Sequence, residues 1–178
     1  MSLDSIVHIT IDTKSLQMAQ AGFGIPLIIV QENELTNGRV QIFKDLSSLQ
    51  VKNTQSTLYR MAHLMLAQNP RIRFGKIGVR LKSETIETAL SAIVNEDADF
   101  YGILLANHHG ENHAAYMKDI GSLAEAISSK RYLAGVDITD KHLDVVQELK
   151  AKGYSNIFCA YQTLAEESLS AAFIRKQN

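Results

Sequence analysis

From residue 54 onward the apolar residues of this chain switch period in a fixed rhythm, and that rhythm limits the fold more than any motif does. Leu58, Met61, Ala62, Met65 and Leu66 recur at spacings of three and four, which predicts a helix ending before Asn69-Pro70. Lys76–Arg80 then reads as a strand, and Glu84–Val94 as a helix with Ile86, Ala89, Leu90, Ile93 and Val94 as its stripe and Ser83 as its cap. The same alternation continues. Phe100–Ala106 reads as a buried strand, Asn112–Ser129 as a helix, Arg131–Val136 as a strand, and Lys141–Lys152 as a helix capped by Thr139 or Asp140 and stopped by Gly153. Ile157–Tyr161 is the last predicted strand and Leu164–Ile174 the last helix. Strands that alternate with helices of this length predict an α/β fold, a mostly parallel sheet with helices on both faces.

Before residue 54 the pattern is richer in strands. Ser5-Ile6-Val7-His8-Ile9-Thr10-Ile11 is β-branched and alternates around Val7, Ile9 and Ile11, which predicts an N-terminal β-strand arm. Two glycines and a proline punctuate Ala21-Gly22-Phe23-Gly24-Ile25-Pro26, so Gly22, Gly24 and Pro26 are expected to shape a tight turn into the buried strand Leu27–Val30. Asn37-Gly38 signals a turn between Leu27–Gln31 and a further strand, Val40–Phe43. The expected organisation is an N-terminal β arm and β-rich segment over residues 1–50, followed by an α/β domain over 51–178. A strand isolated at a chain end must pair with something. It completes its own sheet, or it adds to the sheet of a neighbour.

Composition removes several classes of function. The 178 residues carry a formal net charge of −1, and 46% are hydrophobic against 21% charged, so a core forms without metal or disulfide staples. No overall positive field recruits nucleic acid or an anionic membrane. The densest basic cluster, Arg71, Arg73, Lys76 and Arg80, is interrupted by apolar residues and reads as a solvated rim. The single cysteine, Cys159, lies in the apolar run Ile157-Phe158-Cys159-Ala160-Tyr161 and reads as a small core hydrophobe. The N-terminus has no signal-peptide pattern, and no apolar run is long enough to span a bilayer, so a cytosol-like compartment is expected.

Candidate chemistry is sparse. His108, His109 and His113 could suggest a metal site, yet Gly110 separates them and no carboxylate or thiol stands at a helical ligand spacing; a solvated strand-to-helix loop is the better reading. Gly22-x-Gly24 is a fragment of a nucleotide-binding loop, with Leu27 where a third glycine would stand and a strand where a helix should follow. The pairs Asp97/Asp99 and Glu166/Glu167 read as turn-capping and solvated residues. No serine sits in a nucleophile elbow. Tyr101, Tyr132 and Tyr161, placed on strands without a basic patch, read as core or interface residues. No catalytic centre, cofactor or metal is therefore expected. The alternative from a different class is a small Rossmann-like enzyme or ligand-binding domain using the loop 106–113, at the carboxyl end of a strand.

Two stretches resemble contractile bacteriophage (prophage) tail sheath proteins. The strand 5–11 followed by Ala21-Gly22-Phe23-Gly24-Ile25-Pro26-Leu27-Ile28 is similar to the opening of that family. Asp97-Ala98-Asp99-Phe100-Tyr101-Gly102-Ile103-Leu104-Leu105-Ala106 resembles the strand that opens its α/β domain. Arg131-Tyr132-Leu133-Ala134-Gly135-Val136 and Leu149-Lys150-Ala151-Lys152-Gly153-Tyr154 follow in the order and spacing of the family. The resemblance implies a structural subunit of the virion, assembled in the host cytoplasm, that is not an enzyme and hydrolyses no nucleotide. Its partners would be other copies of itself and a tail tube protein. Ile6, Val7, Ile9 and Ile11 would form an inter-subunit strand, aimed by the turn at Gly22, Gly24 and Pro26. Family members look longer, so the chain is expected to correspond to their N-terminal portion.

Overall fold

Pro26–Gln31 (β1) is buried at five consecutive positions because helices cover both of its faces and a strand lies along each of its edges. The computed structural model describes residues 24–31, 38–49, 51, 53, 55–68, 71–106, 113–161 and 170–171. Around β1 these residues build one six-stranded sheet. The other strands are Val40–Phe43 (β2), Gly75–Arg80 (β3), Gly102–Leu105 (β4), Leu133–Ile138 (β5) and Ile157–Tyr161 (β6), in the spatial order β2-β3-β1-β4-β5-β6. Every neighbouring pair is parallel except β2–β3. The helices are Thr57–Leu66 (α1), Ile86–Glu96 (α2), His113–Ile127 (α3) and Leu143–Ala151 (α4). The architecture is the expected mostly parallel α/β sheet with helices on both faces.

The period of two in the strands decides which helix covers which face. Leu27 and Ile29 of β1, Ile103 and Leu105 of β4, and Ala134, Val136 and Ile138 of β5 join one core with α2, α3 and α4. Ile28, Val30, Ile77 and Leu104 point the other way and pack with Leu58, Met61, Ala62, Met65 and Leu66 of α1 and with Ala171. On that second face Gly135 leaves room for an aromatic ring. A Cβ there would stand 2.5 Å from Cζ of Phe158 and 3.0 Å from Leu104.

Local signals set the ends of the helices. Ser56 caps α1 by accepting from the backbone N–H of Tyr59. The cap of α2 is Thr85, accepting from Thr88 N–H, instead of the expected Ser83. A short 3₁₀ turn, Asp140–His142, precedes α4, so the regular helix starts two residues later than its apolar stripe implied. α4 ends on Gly153 at φ 71°, with Tyr154 N–H donating to Leu149 C=O and Gly153 N–H to Lys150 C=O. This double bond pattern is the Schellman stop, and it needs a residue that tolerates the left-handed region.

Three expectations need correction. The turn signal at Asn37-Gly38 is real, for Gly38 adopts φ 76°, but it does not close a hairpin. β2 pairs with β3, with Ile42 opposite Lys76, and β3 lies between β2 and β1. β3 wins the place beside β1 because a strand buried on both faces suits the sheet interior, whereas β2 exposes Ile42 and fits an edge. It follows that the division at residue 50 separates no two units among the described residues, because β1 and β2 lie in the same sheet as β3–β6. Lastly, Gly24 is not in the left-handed region and has open space where a Cβ would stand, so no steric demand fixes a glycine there. Pro26 opens β1, where a strand tolerates the missing N–H. Ile6, Val7, Ile9, Ile11 and Gly22 lie outside the described residues, and only Ser170 and Ala171 of the last predicted helix lie within them, in helical conformation.

Replacing Gly135 by Ala drives a methyl group into the Phe158 ring. We expect a loss of about 1–3 kcal/mol in urea denaturation with unchanged slope, partly recovered when Phe158→Leu is combined with it. A neutral Gly135→Ala variant would show that the ring moves aside without cost.

Candidate functional site

Open α/β sheets bind ligands outside the carboxyl ends of their strands, at the point where the strand order reverses. Here that point lies between β1 and β4. The segments that leave it, 32–37 and 107–112 with His108 and His109, lie outside the described residues, as does the side chain of His113. The described rim is formed by the ends of β3, β5 and β6.

At the end of β3 the groups hold one another. Arg39 donates from both terminal nitrogens to the carboxylate of Glu84, with Nη1 2.6 Å from Oε2, and Nη1 also reaches Val79 C=O at 3.1 Å. Glu84 Oε2 accepts from Leu81 N–H as well, at 3.0 Å. The Arg39 hydrogen bonds, aided by the Leu81 N–H, push the Glu84 carboxyl down to about 2. Arg80 donates through Nε to Glu84 C=O at 3.0 Å and through Nη1 to the Asp119 carboxylate of α3. These contacts tie the start of β2, the β3–α2 connection and α3 together.

A second polar group lies at the end of β5. Asp137 is buried in an otherwise apolar strand and accepts from Ser170 twice, from N–H at 2.7 Å and from Oγ at 2.8 Å. Its own C=O accepts from the Tyr116 hydroxyl at 3.0 Å. Burial, with the nearby Asp137 charge, raises the Tyr116 phenol well above its ordinary value, so it remains a donor. His142 packs edge-on against the Tyr116 ring, and its Nδ1 lies 3.0 Å from Thr139 N–H, which makes Nδ1 the acceptor. Asp137 thus joins the sheet to residue 170, and Gln68 of the α1 end donates to Ala171 C=O at 3.2 Å beside it.

At the amino end of the sheet Lys76 is only 3% exposed, so it leaves the expected solvated rim, to which the exposed Arg71 and Arg73 still belong. Its ammonium donates to Asp97 Oδ1 and to Asp99 C=O, both at 2.7 Å, with Asp99 Oδ2 at 3.9 Å. The Lys76 hydrogen bond holds the Asp97 carboxyl below its ordinary value. Asp97 is the C-terminal cap of α2, where the helix dipole also favours a cation. The pair Asp97/Asp99 caps the turn as expected, with Asp99 N–H donating to Asp97 Oδ1 at 3.0 Å, and it also anchors a buried lysine. A charged residue inside the strand pattern Gly75-Lys76-Ile77-Gly78-Val79 was the available signal, since a buried ammonium needs a partner. Asp137 within Ala134–Ile138 gave the same signal.

The sheet edges complete the described surface. β6 is an outer strand, and its Cys159 is half-buried rather than in the core centre; burial raises its thiol, which keeps it a poor nucleophile. Of the strand tyrosines, Tyr132 stacks on Phe100 with ring centroids 5.0 Å apart, and Tyr161 is 46% exposed and donates to Asp140. Among the described residues no helix is long and apolar enough to cross a membrane, and no three His, Cys, Asp or Glu side chains gather as metal ligands. No protein-family model matches the chain, and no curated protein is significantly similar to it.

The geometry makes two checkable claims. Lys76→Met leaves Asp97 and Asp99 within reach of water and is expected to cost under about 1.5 kcal/mol, whereas Asp97→Ala strands a buried ammonium and is expected to cost about 3 kcal/mol. Equal losses would show that Lys76 finds another partner. Glu84 has its folded value depressed from 4.5 to about 2, so its contribution is complete above pH 4.5 and fades as the pH falls towards 2. Glu84→Gln should cost about 1–2 kcal/mol at neutral pH and flatten stability against pH across that window. An unchanged acid limb in chemical denaturation would refute the assignment.

Proposed function

We propose that this chain is a structural subunit of a contractile phage tail sheath, self-assembling around a tail tube and linked to neighbouring copies by its N-terminal strand. The observation that carries the reading is the agreement between the resembling blocks and the elements of the sheet. Asp97–Ala106 is the lysine-anchoring turn running into β4, Arg131–Val136 leads through β5, and Leu149–Tyr154 is the glycine-stopped end of α4. The polar groups of the described rim support the same reading. Arg39, Glu84, Arg80, Asp119, Tyr116 and Asp137 bind elements of the domain to one another, which suits a subunit that must move as a rigid body.

In this role the domain is the rigid part and the segment 5–11 the connector. Contraction draws on energy stored in the lattice at assembly, so the subunit needs only stable folding and a strand whose backbone bonds are completed by another chain.

Removing residues 1–20 tests the connector. The remaining chain should keep its circular dichroism and lose self-association in light scattering. Placing Pro at Ile9 should act in the same direction by removing a ladder donor. If the deletion unfolds the domain, or leaves an oligomer intact, the linking role fails.

A further inference from the structure

β5 ends in a connection that is held by a ring nitrogen. Thr139 and His142 close a reciprocal cap over the 3₁₀ turn Asp140–His142. The backbone N–H of Thr139 donates to His142 Nδ1 at 3.0 Å, and Thr139 Oγ1 lies 3.0 Å from the same nitrogen. His142 N–H donates in turn to Thr139 C=O at 2.8 Å. Glutamate or glutamine usually fills this position of a capping box, because their side-chain oxygens accept at neutral and mildly acidic pH alike. An imidazole nitrogen accepts only while the ring is neutral. Whatever Nε2 meets, the bond at Nδ1 belongs to the neutral ring alone.

The described surroundings oppose a proton on that ring. His142 is 6% exposed, so a charge there has little water around it. From α3 the Tyr116 ring packs edge-on, and its hydroxyl is committed to Asp137 C=O. Cys159 of β6 and Asp119 of α3 stand near Tyr116. Burial raises the Cys159 thiol, so it brings no negative charge, and the Asp119 carboxylate is held by Arg80. The Asp137 carboxylate alternates with Val136 and Ile138 along β5 and is bound to Ser170 on the other face of the sheet. Asp140, Lys141 and Asp144, from the ring's own connection and the start of α4, are exposed to water, and Asp140 accepts from Tyr161 at the end of β6.

We propose that the β5–α4 connection is a proton-sensitive catch, in which protonation of His142 breaks the Thr139 bond and loosens the first turn of α4. The affected piece is defined by its contacts. Val145 of that turn packs in the same core as Tyr116, and Asp140 is the tie to Tyr161. An imidazole in an unfolded chain takes up its proton at about pH 6.5. The folded chain must first give up the bond and bury the charge. The stabilisation is therefore whole above about pH 6.5 and is lost as the pH falls below it. That window is separate from the one set by Glu84, whose contribution is complete above pH 4.5. The catch is independent of the N-terminal strand and goes beyond the sheath reading.

Two measurements on the full chain test it. The first compares the intact chain with His142→Gln, which keeps an acceptor at the capping position and takes no proton there. Between about pH 7 and about pH 5.5 the unfolding constant from urea denaturation should rise about fivefold more for the intact chain than for the variant. Packing lost in the variant is the same at both pH values, and the other histidines are common to both chains, so the difference reads His142. The second measurement needs no variant. Nitrogen NMR of the imidazoles should show His142 carrying its proton on Nε2 at neutral pH. As His142 takes up a second proton, the Thr139 amide should lose protection against hydrogen exchange, after correction for its intrinsic rate. Equal pH slopes for the two chains overturn the proposal. So does a His142 ring that becomes charged while the Thr139 amide stays protected.

Discussion

A strand with neighbours on both edges and helices on both faces has no side that water can reach, and β1 is that strand. Leu27 and Ile29 fill one core while Ile28 and Val30 fill the other. Both cores are therefore anchored to the same short run, and a polar residue anywhere in it would sit unpaired in an apolar layer. The other strands are less constrained as they lie further from β1. β4 is buried throughout, β5 admits Asp137, and β6 is half-exposed. The gradient from centre to edge orders what each strand can do, from packing in the middle to contact at the margin.

The charges that do enter the sheet stand where two elements must be joined. Lys76 connects β3 to the α2–β4 turn, and Asp137 connects β5 to Ser170. Neither is expected to add much net stability over an apolar residue of the same shape, since desolvation offsets most of the attraction. What each adds is orientation, because a buried charge tolerates few alternative arrangements. The Arg39–Glu84 pair, more exposed, fastens the edge strand β2 to the connection beyond β3.

Most of the architecture is legible from apolar patterning. Helical stripes such as Ile86–Ile93 show the period of 3.6, and short continuous runs such as Leu27–Val30, bounded by turn residues, mark strands buried on both faces. Pairing order is not legible in this way. Asn37-Gly38 is a sound local turn signal, yet which strand lies beside β1 is settled by burial on both faces, a tertiary quantity. The cap of α2 falls on Thr85 and not on Ser83, two residues with the same capping chemistry at neighbouring positions, so the sequence does not separate them. The polar anchors escape a sequence reading for another reason: Lys76 is placed in a strand, but its partners Asp97 and Asp99 lie a whole helix away. Cys159 sits in an apolar run, and only the order of the strands shows that run to be an edge.

The position of β1 carries a consequence for how the chain folds as it is made. Ile28 finds its two cross-strand neighbours in Ile77 and Leu104, both far downstream. Until the segment through residue 106 leaves the ribosome, the most apolar strand of the protein has no sheet to enter. The interval must be bridged by loose collapse or by a chaperone, and closing such long loops is slow. β2 arrives during that interval and is adjacent in sequence, so a transient hairpin with β1, opened later when β3 inserts between them, is the natural off-path competitor. A fold whose central strand precedes both of its sheet neighbours in sequence places its kinetic hazard in the interval between β1 and β4.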